Sequence, residues 1–126
     1  TKGTFRDRIR DADYAVERYR SRDGKVPFEE WVARMNRRDP DMVFRILMRI
    51  NRAIKRNFGD YRYLREGVWE IRVDSGPGYR IYFSVENRQV LLLPIGGDKK
   101  SQKADIKLAI DYWKDHQTKG HSYERH

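Results

Sequence analysis

Between residues 68 and 85 the chain alternates apolar and polar side chains twice. In VWEIRVD, Trp69, Ile71 and Val73 fall on one side of an extended chain, and Glu70, Arg72 and Asp74 on the other. After SGPG, the stretch YRIYFSV puts Tyr79, Ile81, Phe83 and Val85 on one side and Arg80, Tyr82 and Ser84 on the other. A period of two predicts two strands joined by the Gly-Pro-Gly turn. Glu86 to Gln89 make a second turn, and VLLLPI (90–95) is apolar on both faces, as a central strand is. YAVERYR (14–20) also alternates and predicts a first strand, stopped by the Asp23-Gly24 turn.

The period elsewhere is 3.6. Phe28, Trp31, Val32 and Met35 follow the i, i+3, i+4, i+7 spacing behind Pro27, which suits a first helical turn. A second helix is predicted from Asp39, its N-cap, towards Gly59, its stop, with Val43, Ile46, Leu47, Ile50 and Ile54 as the buried stripe. Arg45, Arg49, Arg52 and Arg56 form a cationic stripe on the same helix. Ile106, Ala109, Ile110 and Trp113 mark a last helix. Residues 1–12 and 117–126 lack apolar periodicity and read as flexible tails. The order is β-α-α-β-β-β-α in a single domain. It predicts an α+β fold: a small antiparallel or mixed sheet of about four strands, an N-terminal helical hairpin and a C-terminal helix. With helices on one side, the other sheet face is expected to be open and to collect Arg72, Arg80 and Tyr82.

Charge changes the picture. Of 126 residues, 28 are Lys or Arg and 19 are Asp or Glu, a net charge of +9. That surplus favours a polyanionic partner such as nucleic acid, an anionic membrane or an acidic protein. With no cysteine, disulfides and thiolate metal sites are excluded. The charged start TKGTFRDRIRDAD does not resemble a signal peptide, and VLLLPI is too short to span a bilayer, so a cytoplasmic protein is expected. His116, His121 and His126 all lie near the C-terminus, which leaves no His for a nucleophile triad in the folded body and no metal motif. No cofactor is expected. GGDKKS lacks the spacing of a phosphate loop, yet it places glycines and lysines just before a helix, where backbone N–H groups favour anions. Arg72 and Arg80 on neighbouring strands, with Lys99 and Lys100 just past the next, either pair with local acids (Glu70, Asp74, Asp98) or grip a phosphodiester.

GVWEIRVDSGPGYRIYF followed by LLLPIGGDKKSQKADIKLAIDYW resembles the RelE/ParE toxin superfamily, and more narrowly its HigB-like, phage-type addiction module killer proteins. The FxxWxxxxxxRDP segment at 28–40 and INRAIKRNFGD at 50–60 resemble the same group, so the likeness runs from about Tyr14 to Trp113. The resemblance implies a RelE-like fold and the toxin of a type II toxin-antitoxin system. Such a toxin is a ribosome-dependent mRNA endoribonuclease, and its partners are the ribosome, mRNA and a helix-turn-helix, HigA-like antitoxin. It also implies roles. Arg80 matches the arginine that contacts the scissile phosphate, Arg72 the basic position on the preceding strand, and Lys99 the basic residue of the later loop. Glu70 and Asp105 fall where RelE has a lysine and a tyrosine. The superfamily also holds gyrase poisons, so a ParE-like DNA gyrase inhibitor and a non-catalytic nucleic-acid-binding module stand as alternatives.

A metal-free nuclease of this kind activates the ribose 2′-hydroxyl. Arg80, Lys99 and Arg72 would stabilise the phosphate charge, and the base is either Glu70 or a lysine crowded by cations, Lys99 or Lys100. Tyr82 either stacks a base or packs, and the Arg45, Arg49, Arg52, Arg56 stripe either hydrates a helix face or holds RNA phosphates.

Overall fold

The computed structural model describes residues 15–55, 61–73, 78–87, 89–97 and 100–124. The first strand, β1 (Ala15–Arg18), leads through a turn at Gly24 into helix α1 (Pro27–Arg38). Glu29 and Glu30 lie in its first turn and Arg37 and Arg38 in its last, so its charges oppose the helix dipole at both ends. One residue, Asp39, separates α1 from α2 (Pro40–Ile54) and serves both helices. Its N–H donates to the Met35 carbonyl at 2.7 Å, and its Oδ1 accepts from the Met42 N–H at 3.1 Å.

A five-stranded mixed sheet follows, in the order β1-β5-β4-β3-β2. Its other strands are β2 (Tyr61–Arg65), β3 (Val68–Arg72), β4 (Arg80–Glu86) and β5 (Gln89–Gly96). β5 runs parallel to β1 and antiparallel to β4, which explains why VLLLPI is apolar throughout. Strand β2 has no counterpart in the four-strand expectation. It is an edge strand, mostly exposed, and YRYLR shows no apolar face. The hairpin to β3 turns on Glu66 and Gly67, both at positive φ (51° and 86°), the backbone of a two-residue hairpin turn.

The sheet is covered on both faces, which corrects the expectation of an open one. On one face Phe28, Trp31 and Met35 of α1 and Met42, Val43, Ile46, Ile50 and Ala53 of α2 pack on Ile71, Val73, Ile81, Phe83, Val90 and Leu92. On the other, Ala109, Ile110 and Trp113 of helix α3 (Gln102–Glu124) pack on Val68, Tyr82, Leu91 and Leu93. A strand as apolar as β5 has two faces to bury, and α3 supplies the second cover. Leu47, placed in the buried stripe of α2, is instead 42 % exposed, because the stripe centres on Met42, Ile46, Ile50 and Ala53. The segment from Gln117, expected to be a tail, continues α3 to Glu124; extending a formed helix adds one backbone bond per residue, and Thr118 Oγ1 also donates to the Lys114 carbonyl at 3.1 Å. His116 therefore belongs to the folded body, stacked on Trp113. Among the described residues no helix is long and apolar enough to cross a membrane. The N-terminal arm, Tyr14, Arg56, Asp74, the Gly76-Pro77 part of the turn, Asp98, Lys99 and His126 lie outside the described residues.

Candidate functional site

The register of β3 and β4 sets Glu70 opposite Tyr82 and Arg72 opposite Arg80. All four therefore share one sheet face, as the alternation requires. It is the face that α3 covers, and the environment of each side chain follows from that. Glu70 is only 1 % exposed and Arg80 only 6 %, while Arg72, nearer the strand end, is exposed. Glu70 sits at the centre. Its Oε1 accepts from Arg62 Nε at 3.0 Å, and its Oε2 accepts from Gln102 Nε2 at 3.0 Å. Arg80 Nε lies 3.5 Å from the same Oε2, a charge contact without hydrogen-bond geometry, and Arg80 Nη1 donates to the Gly78 carbonyl at 3.2 Å.

Asp105, from the first turn of α3, closes the other side. Its Oδ2 accepts from Ser101 Oγ at 2.7 Å and lies so near Gly96 that a Cβ there would come within 2.6 Å of it. Tyr82 is fully buried between these carboxylates, and its hydroxyl makes no hydrogen bond of good geometry among the described residues, although the Glu70 carboxylate lies near enough to favour the protonated phenol. Burial first, then the negative charges of Glu70 and Asp105, push its ionisation well above the ordinary value; Arg80 opposes the shift without cancelling it. The phenol therefore stays protonated and neutral.

The sign of the pH effect follows. Tyr82 holds its proton longer in the folded chain, so the stability this provides is complete below pH 10, the ordinary tyrosine value, and is lost as pH rises towards the folded value. Tyr82→Phe is expected to leave stability at pH 7 unchanged or raise it by about 1 kcal/mol, since it deletes a buried hydroxyl that makes no well-formed hydrogen bond. It is also expected to flatten the decline above pH 10, read by urea unfolding across pH. A variant that loses stability at pH 7 would show the hydroxyl to be bonded.

Glu70, Arg80 and Tyr82 are thus brought together with Arg72 beside them, and Lys100 lies exposed just before α3. Lys99 is outside the described residues. The anticipated pairing of Arg72 with Glu70 is replaced by Arg80 and Arg62, which the register brings nearer. Tyr82 is fully buried here and packs under α3, the packing alternative of its two readings. Arg45, Arg49 and Arg52 belong to α2, on the opposite side of the sheet from Arg80, so they do not line the same cleft. Arg49 Nη2 donates to the Arg72 carbonyl at 3.1 Å and fastens α2 to the end of β3. Arg62 and Gln102 were missed: Arg62 faces Glu70 only through the β2–β3 register, and Gln102 only through the path of α3.

No family model matches the chain, and no solved structure matches it. A protein of Haemophilus influenzae described as uncharacterized is 37 % identical over 88 residues, a span covering 67 % of this chain and 83 % of that protein.

Proposed function

We propose that this chain, which belongs to the same family as the Haemophilus influenzae protein, is a RelE-type toxin: an endoribonuclease that cuts mRNA on the ribosome and is silenced by a cognate antitoxin. The observation that carries the reading is the Glu70–Arg80 pair, a carboxylate and a guanidinium 3.5 Å apart on one face of adjacent strands. Metal-free RNA cleavage needs both groups. The carboxylate takes the proton of the ribose 2′-hydroxyl, whose oxygen attacks the adjacent phosphorus. The P–O5′ bond breaks, water protonates the leaving oxygen, and the products are a 2′,3′-cyclic phosphate and a 5′-hydroxyl. The guanidinium holds the charge that builds on the phosphate. A helical hairpin ahead of the antiparallel strands and a helix after them support a RelE-like fold.

Gln102 caps the Glu70 carboxylate, so the first turn of α3 must move aside when RNA enters. Arg72 and Lys100 then meet the flanking phosphates, and the ribosome supplies the orientation. A surface of net charge +9 suits an acidic antitoxin segment.

Induced expression followed by primer extension on cellular mRNA tests the reading. Wild-type chain is expected to arrest growth and leave cut mRNA. Glu70→Gln is expected to slow cleavage by on the order of 10²-fold or more and Arg80→Lys by on the order of 10²–10³-fold. Both variants are checked for folding by urea unfolding. Folded variants that cut at the wild-type rate would remove the pair from the chemistry. Intact mRNA with DNA damage would replace the nuclease by a gyrase inhibitor.

A further inference from the structure

Helix α2 buries one side and leaves an apolar patch on the other. Met42, Val43, Ile46, Ile50 and Ala53 face the sheet. Facing away from it, Phe44 is 64 % exposed and Met48 44 %, and Leu47 widens the patch on one flank. Positions i, i+3 and i+4 adjoin on a helix surface, so the three side chains touch the same stretch of solvent, about one turn long. Apolar residues scattered singly over a surface are ordinary, but a contiguous group marks a binding face.

Cations border the patch on its other flank. Arg45 and Arg52 lie there, about two turns apart, and Lys55 continues the Phe44–Met48 line about two turns beyond Met48. All three are exposed. Among the described residues no acid pairs with them, and Asp41 is the one acid in the sequence of α2. Arg49 has its own work, at the Arg72 carbonyl, and is not counted.

An apolar patch with unpaired cations along one edge selects its occupant. A nucleic acid would take the arginines and leave Phe44, Leu47 and Met48 in water. An anionic bilayer suits helices that are apolar along their length, and this patch is about one turn long. A second copy of the chain would bring like charges together. Packed two-fold about Met48, antiparallel copies set Arg45 against Arg52, and parallel copies set Lys55 against Lys55. A helix that carries apolar residues at i, i+3 and i+4 and carboxylates on one flank satisfies both halves of the face.

We infer that the outward face of α2 is a docking site for an acidic amphipathic helix of another protein. Its apolar side chains cover Phe44, Leu47 and Met48, and its carboxylates meet Arg45, Arg52 and Lys55. The site lies on the helical-hairpin side of the sheet and Glu70 and Arg80 lie on the α3 side, so the occupant leaves that pair uncovered. The inference does not rest on the nuclease reading.

Panning the full chain against a display library of helical peptides, with apolar, acidic and basic residues varied at every outward position, tests this with no cleavage readout. Enriched peptides are expected to be acidic, with apolar residues at i, i+3 and i+4. One such peptide is then titrated by fluorescence anisotropy. Phe44→Ser with Met48→Ser is expected to weaken its binding by roughly tenfold or more, as loss of the central anchors of an interface does. Arg45→Glu with Arg52→Glu is expected to weaken it by a similar factor and to turn the preference towards the same peptide with Lys in place of Glu. All four positions are exposed, and folding of both variants is checked by urea unfolding. No enrichment, enrichment of basic peptides, or equal affinity in wild type and both folded variants would refute the site. Anionic vesicles bound by the wild type and released by Phe44→Ser with Met48→Ser, where no peptide is enriched, would make the face a membrane contact instead. A wild-type dimer in sedimentation that the same variant dissociates would give the face to a second copy of the chain.

Discussion

Glu70→Ala is expected to destabilise the fold by about 3–5 kcal/mol, the range for breaking a buried ion pair by removing one partner. The size follows from what the carboxylate does. It accepts hydrogen bonds from Arg62 and Gln102 and faces the Arg80 guanidinium at 3.5 Å, and its loss leaves that guanidinium, whose side chain is 8 % exposed, without its opposing charge and bonded to the Gly78 carbonyl. Arg80→Ala is expected to cost less, because Glu70 then keeps Arg62 and Gln102. Replacing the pair together, Glu70→Leu with Arg80→Met, is expected to recover most of the loss, since similar-sized apolar residues remove both desolvated charges. Urea unfolding of the four chains measures this. A loss below about 1 kcal/mol for Glu70→Ala would mean that the carboxylate is solvated, contrary to its burial.

Gly67→Ala is expected to cost about 2–5 kcal/mol, from two causes that add. At φ 86° an L side chain is strained, by about 1–2 kcal/mol. The new Cβ would also stand 2.5 Å from Trp113 Nε1, and overpacking of this kind costs about 1–3 kcal/mol. Trp113 is anchored in the second core, so the ring cannot simply turn away. The causes can be separated by thermal unfolding in a Trp113→Phe background. There the clash is relieved and the strain persists, so the cost of Gly67→Ala is expected to fall to about 1–2 kcal/mol. An equal cost in both backgrounds would assign the whole effect to the backbone.

Much of the fold was legible because apolar spacing decides it. Phe28, Trp31 and Met35 are buried as their period predicts, and so are Ile71, Val73, Ile81 and Phe83. β2 was hidden because an edge strand has little to bury: Tyr61, Arg62, Tyr63 and Arg65 are all exposed, and the sign of the hairpin was only Glu66-Gly67. The second core was missed for a different reason. Arg80 and Tyr82 are polar residues, and alternation alone reads polar as solvent-facing. Ile106, Ala109, Ile110 and Trp113 already called for an apolar surface to pack on, and β5 offered one on each face.

For the candidate site, the shared face of Glu70, Arg72, Arg80 and Tyr82 was readable from the period of two, and the structure agrees. The bonds among them were not. Which cation reaches Glu70 depends on how β2 registers on β3 and on where the first turn of α3 lands, and neither is a local property of the chain.

The parallel pairing of β1 with β5 has a consequence in time. Ala15 lies beside Gln89, so the first strand waits on the ribosome for a partner made about 70 residues later, a delay of roughly 4–15 s at ordinary rates of synthesis. β5 in turn emerges before the helix that covers its second face. The sheet therefore cannot close from its leading end. Assembly is expected to start in the β2–β3–β4 hairpins, whose contacts are local, and to finish when β1 docks on the edge of β5 and α3 on its second face. Glu70 and Arg80 meet early in that order, and Gln102 reaches Glu70 only at its end.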